Sequence, residues 1–297
     1  MQDAHREAAR AAREELVETT VALVRCRSET PPSDTRGTAA LAEAFLAAVP
    51  GATVTLHSSE PPVMNLVPRI AGASPGPRLV LSGHLDTYPA GDPAGWGVDP
   101  FGGDVAEGRI YGRGAADMKG GIACILTTFR LLAAVRDHWS GELVVALAGD
   151  EESMGELGTQ VLIDTVPEVR GDAVMIPDVG SPDVIRIGEK GMVWLEVEAE
   201  GTAAHGAHVH RGVNAADRLI AALARVGELR DLSVDRPPAA AQTVAAAFCV
   251  SEALGGRGRA RRCRASPSIS AGSTPARRPT SCRRRRAPPS TSACRRA

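Results

Sequence analysis

Apolar residues recur at helical spacing from about residue 5 to 25, with Leu16, Thr20, Leu23 and Val24 on one face, and this predicts an amphipathic helix. A second helix is expected over Thr38 to Ala48. Short apolar segments at Ala52–Leu56, Asn65–Ile70 and Arg78–Ser82 are separated by Pro and Gly clusters and read as strands. Gly120 to Val135 predicts a strong helix. Glu142–Ala148 is a continuous apolar run of the kind found in strands buried on both faces, and Asp172–Ile176 is another. Strands alternating with helices predict an α/β fold, a mostly parallel sheet with helices on both faces. Such sheets bind ligands beyond the carboxyl ends of their strands. His84 follows one apolar strand, Glu151 and Glu152 follow the next, and Asp178 follows a third.

The pattern changes near Gly188-Glu189-Lys190-Gly191. Met192–Glu200 alternates apolar and charged residues and predicts a half-exposed antiparallel strand. A His-rich turn (His205, His208, His210) and a helix over Val213 to Leu229 follow. The boundaries expected are 1–188 for a first domain, 189–252 for part of an α+β domain, and 253–297 for a tail of different character.

Charge sharpens that last boundary. The net charge is −1, yet from Ala253 onward there are 13 Arg and no Asp, Glu or Lys, which leaves 21 basic against 35 acidic residues before it. No run approaches the roughly 18 apolar residues of a membrane span, and the charged N-terminus lacks a signal-like apolar stretch. The six Cys show no CxxC spacing, so reduced thiols and a cytoplasmic protein are expected.

Chemistry is concentrated in three places. Ser82-Gly83-His84-Leu85-Asp86 offers an imidazole with a carboxylate two residues on, placed to hold its second ring nitrogen. The plain alternative is a surface His-Asp pair. Asp117 precedes a helix, where an N-cap is the ordinary reading. The glycines around it lack the Gly-Lys-Ser/Thr ending of a phosphate loop. Asp150-Glu151-Glu152 stacks three acids after an apolar strand, either as a solvated loop or as a cation site that relieves their repulsion.

Taken together, Gly83-His84-Leu85-Asp86-Thr87-Tyr88-Pro89, Trp96, Asp99-Pro100-Phe101, Tyr111-Gly112-Arg113-Gly114, Asp117-Met118-Lys119-Gly120-Gly121 and Asp150-Glu151-Glu152 closely resemble one family. It is that of the dinuclear zinc amidohydrolases, which include acetylornithine deacetylase, succinyl-diaminopimelate desuccinylase, aminoacylase and carboxypeptidase G. The resemblance covers about residues 10 to 250. It implies a zinc-peptidase-like catalytic domain with an incomplete lid and dimerisation domain, and a homodimer for the intact family form. It further implies that His84 and Asp178 bind one metal, that Asp117 bridges two, that Glu152 binds the second, and that Asp86 orients His84. Glu151 would be the general base acting on a metal-bound water. The two divalent ions would be zinc, with cobalt or manganese as substitutes. His205 would reach the active site of the partner subunit and assist the developing oxyanion; a plain surface turn, or a separate metal site with His208 and His210, stays open. The substrate implied is an N-acyl amino acid or short peptide, cleaved at an amide beside a carboxylate. The alternative is an inactive remnant that binds at most one metal.

The tail lacks acids and aromatics and cannot bury enough apolar surface to fold. A basic arm for nucleic acid is one reading, but nothing else in the chain supports a nucleic-acid partner. A shifted reading frame is the other. If each codon takes the third base of one residue and the first two of the next, Ala276-Arg277-Arg278-Pro279-Thr280-Ser281-Cys282-Arg283 is compatible with Thr-Ser-Pro-Asn-Leu-Val-Pro. That string suits the lid of the resembled family. The frame change is expected between about residues 250 and 267, and it would remove the family's last metal ligand, leaving little activity.

Overall fold

A computed structural model describes residues 2–180, 195–229 and 237–247. The chain divides into two units, Met1–Val184 and Ile185–Ala297.

The first unit begins with helices α1 (Gln2–Ala11), α2 (Arg13–Arg25) and α3 (Arg36–Ala47). The single helix expected over residues 5–25 is interrupted at Ala12, whose ψ is 3°. Strands β1 (Thr53–His57), β2 (Asn65–Ala71) and β3 (Arg78–His84) follow, then a small hairpin of β4 (Asp104–Ala106) and β5 (Arg109–Tyr111). Helix α4 (Gly120–Ala133), strand β6 (Glu142–Ala148), helix α5 (Thr159–Thr165) and strand β7 (Ala173–Met175) complete it.

The main sheet has the order β1-β2-β6-β3-β7. It is mixed, which qualifies the mostly parallel sheet expected. β2 runs antiparallel to both β1 and β6, while β3 is parallel to β6 and β7. The connections give the reason. β1 reaches β2 through a short turn, which permits an antiparallel pair, whereas β3 reaches β6 through α4, the crossover a parallel pair requires.

Both faces of this sheet are covered, which explains the continuous apolar run in β6. Leu143, Val145 and Leu147 join a core with Leu66, Ile70 and Leu81 beneath Ile122, Ile125 and Phe129 of α4, with Leu23, Ala42 and Leu46 from the N-terminal helices. The intervening Val144 and Ala146 pack on the other face with Val67, Val80, Leu162 and Val166. This is the period-2 alternation of a strand buried on both sides. Because β3, β6 and β7 are parallel, His84, the acidic run after Ala148 and the segment carrying Asp178 leave the sheet at one edge.

In the second unit, helices α6 (Ala215–Glu228) and α7 (Pro238–Ala246) are formed. Asn214 caps α6 by accepting from the Ala216 amide at 2.9 Å. The strand expected over Met192–Glu200 is not formed across Leu195–Glu200, the part that is described. A strand needs a ladder partner, and the backbone pairing described nearby is the single bridge between Thr202 and Val213. The remainder of that strand and the whole Arg-rich tail lie outside the described residues. No helix among the described residues is long and apolar enough to cross a membrane.

Candidate metal centre

His84 closes β3 and is 4% exposed. Its Nδ1 lies 2.9 Å from the Asp86 backbone carbonyl, and the Asp86 carboxylate is farther away at 3.4 Å. The carbonyl is therefore the nearer acceptor holding the ring, a role sequence reasoning assigned to the Asp86 side chain. With Nδ1 occupied, Nε2 faces outward and meets Asp117 Oδ1 at 3.0 Å.

The Asp86 carboxylate has other work. It is fully buried and accepts from Thr30 Oγ1 at 2.9 Å and from the backbone amides of Glu151 and Glu152 at 3.1 Å each. Several donors on one ionised group are what permit burial of its charge. Asp86 thereby joins the end of β3 to the turn carrying both glutamates.

Asp117 is not a helix cap. It sits with extended backbone (φ −123°, ψ 96°) just before α4, and its peptide bond to Met118 is cis. Asp178 follows β7, where the Pro177 carbonyl lies so close to α4 that a Cβ on Gly121 would meet it. Glycine at 121 therefore lets this loop approach the first turn of the helix. The structure brings ligand atoms of His84, Asp117 and Asp178 within 4.8 Å of one another, the one such group among the described residues. An imidazole with carboxylate oxygens suits zinc, and also the neighbouring divalent ions.

Glu151 and Glu152 stand beside this group rather than in it. Glu152 Oε1 accepts from the Tyr88 amide at 2.9 Å. Burial raises the Glu152 carboxyl to about 7, helped by the negative Asp117 and opposed by His84. The Glu151 carboxyl is also raised, by burial and by Asp86, Asp117 and Asp178, against the pull of His84. Asp150, the third acid of the run, turns away and is buried, its Oδ2 accepting from the Leu157 amide at 2.9 Å. Burial alone would lower the His84 pKa, but contacts with Asp117 and Asp86 outweigh it and raise the value to about 10. The raised pKa favours a proton on the imidazole, whose Nε2 meets Asp117 and whose Nδ1 meets the Asp86 carbonyl.

A metal ion at Nε2 must displace that proton. Since the His84 pKa is raised, the competing proton is bound throughout the neutral range and is removed more easily as pH rises. Zn²⁺ affinity is therefore expected to increase between about pH 6 and about pH 8, with proton release on binding. Calorimetric titration in two buffers of different ionisation enthalpy reads those protons; identical heats in both would contradict the expectation.

His205 lies in the second unit. Its Nδ1 accepts from the Ala207 amide at 3.2 Å, capping the turn Gly206–Arg211. The rings of His205 and His208 are 6.1 Å apart and those of His208 and His210 are 5.8 Å apart, and the three gather no common set of ligand atoms within 4.8 Å.

Three supporting residues escaped sequence reasoning. Thr30 bonds Asp86 across 56 positions, and Asn65 bonds the loop after β6. Lys119 is fully buried and its Nζ donates to the Cys26 carbonyl at 2.5 Å, with burial lowering its pKa to about 8. Their partners are remote in sequence, so no local spacing signals them.

Residues 80–277 match peptidase family M20/M25/M40. The chain is 34% identical to a succinyl-diaminopimelate desuccinylase of Rhodospirillum centenum, over 68% of this chain and 53% of that protein. It is 36% identical to the enzyme of the same name from Paracoccus denitrificans, over 73% of this chain and 56% of the relative. The chain spans about half the length of the curated relatives it matches. Among solved structures, human carnosine dipeptidase 1 shares the fold with a TM-score of 0.51 and 21% identity, over 59% of this chain and 40% of that one. A tripeptidase from Staphylococcus aureus gives a TM-score of 0.50 and 18% identity, over 74% and 57%.

Proposed function

Because this chain belongs to peptidase family M20/M25/M40, we propose that its first unit is the metal-binding part of a hydrolase that cleaves an amide beside a carboxylate. The observation that carries this reading is the gathering of His84, Asp117 and Asp178 at the carboxyl-terminal sheet edge, with Glu151 and Glu152 alongside. His84 and Asp178 would hold one divalent ion, Glu152 another, and Asp117 would bridge them. Zinc is the proposed metal. Such ions lower the pKa of the attacking water and polarise the scissile carbonyl.

The residues of the chain would divide the remaining work. Glu151, whose pKa is raised toward neutrality, takes a proton from the attacking water on a carboxylate oxygen and returns it to the leaving amine. Asp86 fixes the backbone of both glutamates. In the proposed homodimer, His205 would donate to the oxyanion in the active site of the partner subunit. The names of the curated relatives make N-succinyl amino acids the first substrates to test, followed by N-acetyl amino acids and dipeptides. The cytoplasm and a homodimer are proposed for the intact form.

A test of Glu151 uses a gene in which the frame change proposed between about residues 250 and 267 is reversed. Glu151→Gln is expected to lower kcat by about 10²–10⁴-fold, the usual worth of a general base, while Zn²⁺ content stays unchanged. A variant with normal turnover would exclude Glu151 as the base.

The second reading is a remnant holding one ion without turnover. It is favoured by the position of Glu152, bonded to the Tyr88 amide and outside the close group. Stoichiometry on the 297-residue chain separates the two: two zinc equivalents with hydrolysis support the enzyme, one without hydrolysis supports the remnant.

A further inference from the structure

Asn65 opens β2 and is fully buried. Its side chain makes two bonds to one loop. Oδ1 accepts from the Gly149 amide at 2.8 Å, and Nδ2 donates to the Leu157 carbonyl at 2.9 Å. Gly149 is the first residue beyond β6, and Leu157 lies just before the Gly158 cap of α5. The two bonds therefore draw together both ends of the loop that carries Glu151 and Glu152.

The rest of the neck is built to the same purpose. The Leu157 amide returns to Asp150 Oδ2 at 2.9 Å, and the Gly155 amide to the Asp150 carbonyl at 3.0 Å. Gly149 has no room for a side chain, because a Cβ there would press on the Met64 carbonyl next to Asn65. The β2–β6 ladder, from Leu66–Leu147 to Ala71–Glu142, begins one residue after Asn65. What the Asn65 side chain adds is the shape of the loop.

The loop closed in this way carries Glu151 and Glu152. Asp86 holds their amides from the side of β3, and Asn65 closes the neck from the side of β2. Of common side chains, an amide fits this place best, since one end must accept and the other donate.

We propose that Asn65 is a positioning residue for the cation site: it staples the neck of the acidic loop and so sets where the glutamates stand relative to His84, Asp117 and Asp178. This rests on the proposed reading of that group as a metal centre. Partners one step behind the metal ligands commonly cost 10–100-fold in metal affinity when removed, and a loss of about that size is expected here.

The test uses the 297-residue chain, with Zn²⁺ alone as the probe, and the variants Asn65→Ser and Asn65→Asp. Asn65→Ser loses the reach for both bonds, whereas Asn65→Asp keeps an acceptor for Gly149 and opposes an oxygen to the Leu157 carbonyl. Both are expected to bind Zn²⁺ about 10–100-fold more weakly, with far-UV circular dichroism unchanged and faster amide exchange across residues 150–157. Affinity within about twofold of the parent overturns the proposal. So does loss of the far-UV signal together with affinity, because Asn65 would then be holding the fold rather than the site. If the parent takes up no Zn²⁺, the metal reading falls, and amide exchange alone judges the staple: unchanged exchange across 150–157 would overturn it.

Discussion

Asp117→Asn is expected to weaken Zn²⁺ binding by at least about 100-fold, more than loss of an outer partner costs, while leaving the fold intact. The substitution keeps the shape of the side chain and removes its charge. Asp117 Oδ1 is the group nearest His84 Nε2, at 3.0 Å, and it belongs to the close set with Asp178. It also occupies irregular backbone ahead of α4 rather than a core position, so the helix and sheet should form without it. The neutral amide would additionally lower the His84 pKa, since contact with Asp117 leads the causes that raise it. Titration against a competing chelator measures the loss. Affinity within about threefold of the parent would place any metal elsewhere.

Asp86→Ala should act on stability as well as on the site. The carboxylate is fully buried and accepts from the Thr30 hydroxyl and the amides of Glu151 and Glu152, with His84 Nδ1 at 3.4 Å. Alanine would leave those donors buried or poorly placed, at about 1–3 kcal/mol each before relaxation, and a net cost of about 3–5 kcal/mol is expected. That is a large share of the roughly 5–15 kcal/mol that holds a domain together. Thermal unfolding should shift down by about 10–15 °C. Because the turn bearing both glutamates loses its anchor, Zn²⁺ affinity should fall in the surviving folded fraction. A variant that melts within about 3 °C of the parent would show that Asp86 is no hub.

Much of the first unit was legible because burial on both faces leaves a simple mark. The run Glu142–Ala148 could be read as a strand from composition alone, and it is β6 from end to end. The direction of β2 was not legible, since its own residues do not reveal that β6 inserts between it and β3. The site divides in the same way. His84, Asp117 and the glutamate pair announce themselves by residue type and spacing. The bonds that place them do not: the nearest acceptor for His84 is a backbone carbonyl, and Thr30, Asn65 and Lys119 act on partners far along the chain. Across Leu195–Glu200 the expected strand is an alternation without a ladder partner among the described residues. Alternation states which side of a strand is wet, and pairing decides whether the strand exists.

X-ray absorption at the zinc edge of the Zn²⁺-loaded 297-residue chain tests the proposed centre most directly. A centre on His84, Asp117 and Asp178 predicts one imidazole and several oxygen neighbours at about 2.0–2.2 Å, with no sulfur. A second scatterer at about 3.5–4 Å would mark the paired site. Sulfur at about 2.3 Å would assign the ion to cysteines, and a signal from several imidazoles would assign it to His205, His208 and His210. Either result would contradict a centre at the end of β3.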